Sequence, residues 1–190
     1  MAYERFKLDE LPATPWQNGG GTTREILCWP PGADMRGFDW RVSVATIAAS
    51  GPFSPFAGVD RTLVLLEGEG VWLEGEGVRH RLDTPHDPFR FSGDAALRCE
   101  LMGRVSTGLN VMARRGRGTA TVEVLSEARE LPRCEHGLLL AVQGHYHLRG
   151  AGLLKTWDGL WWADQPQGFE LTPASRDGRL AVVRWEPDPF

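Results

Sequence analysis

TLVLLEGEGVWLEGEGVRHRLD, residues 62–83, reads as strand, turn, short strand, turn, strand. In its last piece Val78, His80 and Leu82 share one face, and Arg79 and Arg81 take the other, because side chains alternate along a strand. The same two-residue period recurs outward from this segment. Arg41, Ser43 and Ala45 share one strand face, and Val42, Val44 and Thr46 the other. Leu109 and Val111 alternate with Asn110 and Met112. GLLLAVQG, HYHLRG, GLWWAD and RLAVVRWE are further strand candidates. The only passable helical windows are short, near residues 3–11 and 124–131. Glycine (23) and proline (13) are frequent enough to supply a turn between each pair of strands. Strands repeated roughly every ten residues with turn signals between them predict an all-β sandwich or barrel.

A weak repeat lies within this pattern. Setting Gly68 over Gly144 pairs Leu63 with Leu139, Val64 with Leu140, Leu65 with Ala141 and Leu66 with Val142. Either any two hairpins look alike, or the chain holds two related barrels, the second with fewer elaborations. No flexible linker separates them, so the expectation is one compact unit over 1–190 with approximate halves 1–115 and 116–190. The turn-rich region between Arg114 and Thr119 is the expected seam.

Composition narrows the function. The net charge of −4 and a pI near 5.7 argue against a nucleic-acid partner. ARRGRG, residues 113–118, is one short basic patch in an acidic chain. No apolar run is long enough for a transmembrane helix, which predicts no membrane partner. MAYERFKLDE lacks the basic-then-apolar pattern of an export signal. Cys28, Cys99 and Cys134 are too few, and odd in number, for a disulfide framework, so a cytoplasmic setting is expected. Exposed strand edges leave a homodimer open.

PWQNGGGTTREI, residues 15–26, is the most unusual segment. Consecutive glycines let a chain make a tight turn or pass close to a ligand, and either reading fits. No Gly-Lys-Ser/Thr follows, so it is not a P-loop. TTREI runs as a strand with Thr22, Arg24 and Ile26 on one face and Thr23 and Glu25 on the other, and only one set points inward. Arg41 lies mid-strand among apolar residues. It either faces outward beside Asp39 or stands inside awaiting a carboxylate in bidentate geometry. Arg61 either pairs with Asp60 or faces a ligand. Asn110 either serves a ligand or ties two strands together. His145 and His147 share a strand face, half of a metal set or a solvent-facing edge, and no acid stands at a spacing that completes a set. No G-x-S-x-G elbow is present.

PWQNGGGTTREI, FDWRVSVATI, GPFSPFAGVDRTL, FSGD and GLNVMARRG, in that order over most of residues 15–116, resemble the motif series of the HutD/Ves family. Gln17 stands where that family often has a lysine. The resemblance implies a cupin-type (RmlC-like jelly roll) fold with two β-barrel-like halves packed as one unit. It also implies an association with histidine utilisation, through binding of a small pathway acid such as urocanate or a formimino-glutamate-like compound. No well-defined catalytic activity comes with the family, so a non-catalytic binding protein is expected. The alternative is a cupin isomerase, dioxygenase or hydrolase acting on a small acid. Metal cupins carry an H-x-H pair and a glutamate before the strand that TLVLLEGEG resembles. PFSPFAGVDR has no histidine there, and Arg61 falls about where the glutamate would be. No metal or other cofactor is therefore expected.

The expected ligand is a small carboxylate held in the N-terminal half. Arg41 and Arg61 would carry charge recognition, both without internal carboxylates. Asn18, Ser43 and Asn110 would orient the ligand, Trp16 would stack on it, and Arg24 or Glu25 would contribute according to which face turns inward.

Overall fold

The computed structural model describes residues 3–189. Nineteen strands and one 3-10 turn make up its regular structure, so the chain is all-β. β1 (Glu4–Lys7) leads into the 3-10 turn Leu8–Glu10. Then come β2 (Ala13–Pro15), β3 (Gly21–Trp29), β4 (Trp40–Ile47), β5 (Gly51–Phe53), β6 (Val59–Glu67), β7 (Val71–Gly75), β8 (Val78–Leu82), β9 (Phe89–Ser92), β10 (Leu97–Leu101) and β11 (Ser106–Arg114). β12 (Gly118–Leu125), β13 (Arg129–Cys134), β14 (His136–Gln143), β15 (Tyr146–Leu148), β16 (Gly152–Leu154), β17 (Asp158–Trp162), β18 (Gln167–Pro173) and β19 (Arg179–Pro187) complete the chain. Two compact units result. One is Pro12–Gly118; the other joins residues 3–11 to 119–189.

The Pro12–Gly118 unit is a sandwich of a six-stranded sheet, β2-β3-β4-β11-β6-β9, and a four-stranded sheet, β5-β10-β7-β8. The sheets do not close into hydrogen-bonded barrels. Between them Ile47, Leu63 and Leu65 from the larger sheet pack against Phe53, Val71, Leu73, Leu82, Leu97 and Cys99. Fully burying each such side chain contributes about 1.5–3 kcal/mol. Directly opposed residues on neighbouring strands share a face, so the register defines what enters this interior. Glu25, Ser43, Asn110 and Leu63 form one row, and Cys28, Arg41, Met112, Arg61 and Phe91 the next. The core is hydrocarbon at one end of the sheet and polar at the other.

The second unit repeats the plan. Its sheets run β1-β17-β14-β19-β12 and β13-β18-β15-β16. β14, β15, β16, β17, β18 and β19 take the places of β6, β7, β8, β9, β10 and β11, with the same partners in the same order. The Leu63-to-Leu139 alignment therefore reflects a duplicated topology rather than a chance likeness of hairpins. The interiors differ. Gly137 stands at the position of Arg61, and the Trp162 ring lies so close that a Cβ on Gly137 would be 2.3 Å from it. Leu139, Ala141, Tyr146, Leu160, Leu180 and Val182 fill the rest with apolar side chains.

Neither helical window forms an α-helix, and only Leu8–Glu10 of the first makes a 3-10 turn. Residues 4–7 pair instead with β17, and Phe6 lies over Gly159, whose missing side chain admits the ring. Residues 129–134 pair with β18, with Leu131 opposite Phe169. Partners across a sheet outweigh local propensity in segments this short. Among the described residues no helix is long and apolar enough to cross a membrane.

Candidate functional site

A pocket of about 480 Å³ opens in the Pro12–Gly118 unit, within the size range of small-molecule sites. Its polar lining includes Asn18, Thr23, Arg41, Ser43, Arg61 and Asn110, with Gln17 and Ser54 beside them. Trp16, Met35, Phe53, Phe56 and Met112 supply apolar walls. Six of the eight residues expected from the sequence thus meet in one place: Trp16, Asn18, Arg41, Ser43, Arg61 and Asn110.

The triple glycine closes the β2–β3 hairpin, and the turn also presents side chains to the pocket. Asn18 Oδ1 accepts the Gly20 N–H at 2.9 Å, and Gly19 takes φ +72°. A Cβ on Gly21 would sit 2.3 Å from the Thr46 carbonyl oxygen. Trp16 Nε1 donates to Thr23 Oγ1 at 2.8 Å, which holds the indole at the pocket wall.

Glu25, not Arg24, shares the pocket's sheet face. Glu25 opposes Ser43, and Arg24 opposes Val44 on the other side. A bulge between Glu25 and Leu27 ends the simple alternation there. Neither residue lines the pocket itself.

Arg41 is buried and points inward, which removes the outward pairing with Asp39. It does not lack a carboxylate, contrary to expectation. Its Nε donates to Glu25 Oε2 at 2.6 Å, from a glutamate whose side chain is 48% exposed. The bulge makes this pair, because it carries the strand from Glu25 to Cys28 with the two residues on the same face.

Arg61 is different. It is 4% exposed, and Asp60 does not pair with it; that carboxylate accepts from Arg90 and Arg115 at 2.8 and 2.7 Å. Arg61 Nη1 donates to the Ser54 carbonyl oxygen at 3.0 Å. Nε and Nη2 donate to Asn110 Oδ1 at 3.4 and 3.3 Å. Its Cζ lies 4.4, 5.1 and 5.3 Å from the ring centroids of Phe53, Phe56 and Phe91. Among the described residues every partner of this cation is neutral. Burial, and secondarily the nearby Arg41 charge, push its pKa down to about 9.

Sequence reasoning missed Ser54, Phe53 and Phe56, which come from a strand end and a loop where no period reports direction. Met112 was legible, since it shares a strand face with Asn110. His147 is exposed, on a strand flanked by β18 and β16 rather than at an edge. Among the described residues no three His, Cys, Asp or Glu side chains group as a metal set.

Comparison with known proteins agrees with this architecture. A family model described as HutD matches residues 8–181. Protein Ves of Citrobacter koseri is 36% identical over 185 residues, 97% of this chain and 95% of that protein. The solved structure of HutD from Pseudomonas fluorescens SBW25 superposes with a TM-score of 0.87 at 26% identity, covering 99% of this chain and 100% of that one. A cupin 2 conserved barrel domain protein from Leptotrichia buccalis superposes at 0.60 over 96% of each chain, with 10% identity, a likeness of fold alone. The chain belongs to the HutD/Ves family and has its cupin-type fold.

Proposed function

We propose that this protein binds a small carboxylate in the pocket of its Pro12–Gly118 unit and thereby modulates histidine utilisation, without itself catalysing a reaction. One observation carries the reading: Arg61 is a buried cation whose protein partners are all neutral. Unpaired buried charge is costly, and a ligand carboxylate would relieve that cost. The donors nearby suit the same anion. Arg61 occupies the Asn110 oxygen, so the amide nitrogen is left to donate, and Ser43 adds a hydroxyl. Trp16, Phe53 and Phe56 offer flat walls to a planar body.

Urocanate and a formimino-glutamate-like acid are the candidates that family membership brings, and the regulatory role rests on that membership. One charged hydrogen bond in a desolvated site contributes about 1.5–3 kcal/mol. Two such contacts with aromatic packing support micromolar affinity, about −8 kcal/mol. Three free thiols, at Cys28, Cys99 and Cys134, support a reducing cytoplasm as the setting.

The test is a panel of histidine-pathway acids against the purified protein. Urocanate or a related acid should raise Tm and quench tryptophan fluorescence in a saturable way. If no acid in the panel shifts either signal at millimolar concentration, the reading fails.

A further inference from the structure

Three motifs meet around Arg61: GPFSPF (residues 51–56), which also lines the pocket, and FSGD (91–94) and ARRG (113–116), which do not. The loop over residues 54–58 supports the guanidinium twice, through the Ser54 carbonyl oxygen and through the Phe56 ring. That loop is pinned from outside the pocket. The Phe56 N–H donates to Gly93 O at 2.6 Å, and the Gly58 N–H donates to Asp94 Oδ1 at 2.7 Å. Gly93 permits the close approach, since a Cβ there would lie 2.6 Å from Val59 O, 2.8 Å from Phe56 O and 3.3 Å from Arg61 Cδ.

Asp94 is itself held on its other oxygen. Ser92 Oγ donates to Oδ2 at 3.0 Å, and Arg115 Nη2 pairs with the same oxygen. Arg115 also reaches Asp60 Oδ1 at 2.7 Å, at the start of the strand that carries Arg61. The Gly58 hydrogen bond, then those of Ser92 and Arg115, keep the Asp94 carboxyl below the usual carboxylate range, so it is ionised at neutral pH.

We propose that Asp94 is a positioning residue for Arg61. Its Oδ1 latches the loop over residues 54–58, and the loop aims the guanidinium into the pocket. Asp94 is not among the residues that line the pocket, and its Oδ1 accepts from Gly58 rather than from Arg61. The proposal rests on the reading of Arg61 as the ligand's charge partner, and it assigns a purpose to FSGD and to Arg115 of the basic patch.

The experiment compares wild type, Asp94→Ala and Asp94→Asn by two readouts. One is urocanate affinity by calorimetry. The other is the Arg61 Nε–H NMR resonance in the ligand-free protein, assigned by its loss in Arg61→Lys. Asp94→Ala should shift that resonance and weaken urocanate about tenfold, the equivalent of one lost hydrogen bond. Asp94→Asn should keep both readouts near wild type, because its amide oxygen still accepts the Gly58 N–H. Asp94→Ser, too short to reach, replaces the alanine variant if that fails to fold. An unchanged resonance in Asp94→Ala, or an asparagine variant as impaired as alanine, overturns the proposal. If wild type binds another acid of the panel and not urocanate, that acid replaces it in the calorimetry; if it binds none, the functional reading falls, and the resonance alone still decides the latch.

Discussion

Arg61 and Asn110, on adjacent strands, meet at a single oxygen: Nε and Nη2 of the guanidinium both donate to Oδ1 of the amide, at 3.4 and 3.3 Å. These are long, weak bonds, and they neutralise nothing. Arg61 is held in place and kept charged without being satisfied. Arg61→Met should therefore abolish carboxylate binding while leaving Tm unchanged or raising it. An apolar side chain removes a buried charge with no counter-ion, and replacing even paired buried charges by apolar residues of similar volume is often neutral or stabilising by about 1–4 kcal/mol. Calorimetry and a thermal melt on the same sample check both halves. A lower Tm with intact binding would contradict the assignment.

The depressed pKa of Arg61 gives pH effects of opposite sign on binding and stability. Its folded value, about 9, lies well below the ordinary value of a guanidinium. Above pH 9 the folded protein releases this proton while the unfolded chain retains it. The Arg61 contribution therefore makes stability rise with pH between those values. Ligand affinity moves the other way, because the carboxylate needs the cation. Affinity should be flat from about pH 6 to 8 and fall about tenfold per pH unit above 9. Titrating urocanate affinity from pH 6 to 10.5 checks this.

How much of this was legible depends on where alternation holds. Arg41, Ser43 and Ala45 sit on a straight strand, so their shared face was readable, as was that of Asn110 and Met112. The choice between Arg24 and Glu25 was not, because the bulge after Glu25 depends on the strand's partner. The same bulge hid the Glu25–Arg41 pair, whose members are sixteen residues apart on neighbouring strands. Ser54 and Phe56 reach Arg61 from a loop, where no period reports direction. Residues 4–7 carried a passable helical pattern and became a strand because Gly159 lets Phe6 pack across the sheet. The duplicated topology was visible as a five-residue alignment, but the apolar filling of the second unit required knowing that Gly137 faces Trp162.

Glu25 is an internal counter-ion for Arg41, half-exposed while its partner is buried. Glu25→Gln removes the charge and leaves the arginine with at most an amide oxygen. Stability should fall by about 1–3 kcal/mol, the usual consequence of depriving a buried charged group of its partner. Affinity for a monocarboxylate should rise about threefold or more, since Arg41 then has no competing acid and the pocket gains a net positive charge. Denaturant unfolding and calorimetry with urocanate measure the two effects. Weaker binding in this variant would mean that Glu25 itself touches the ligand.

Gly21 couples the hairpin turn to the pocket wall. Its Cα lies against the Thr46 carbonyl oxygen, and a Cβ there would come within 2.3 Å of that oxygen and 3.2 Å of the Trp16 ring. The oxygen belongs to the backbone of β4 and cannot move aside without shifting the strand that carries Arg41 and Ser43. Gly21→Ala should therefore cost about 2 kcal/mol or more. Because the Thr23 Oγ1 hydrogen bond and this contact both help to hold Trp16, the indole should be displaced as well. Trp16→Phe separates the effects. It keeps an aromatic wall, loses the hydrogen bond to Thr23, and should remove most of the fluorescence response to urocanate while weakening its binding less than Gly21→Ala does. A full fluorescence response in Trp16→Phe would assign the signal to another tryptophan and take the indole out of the site.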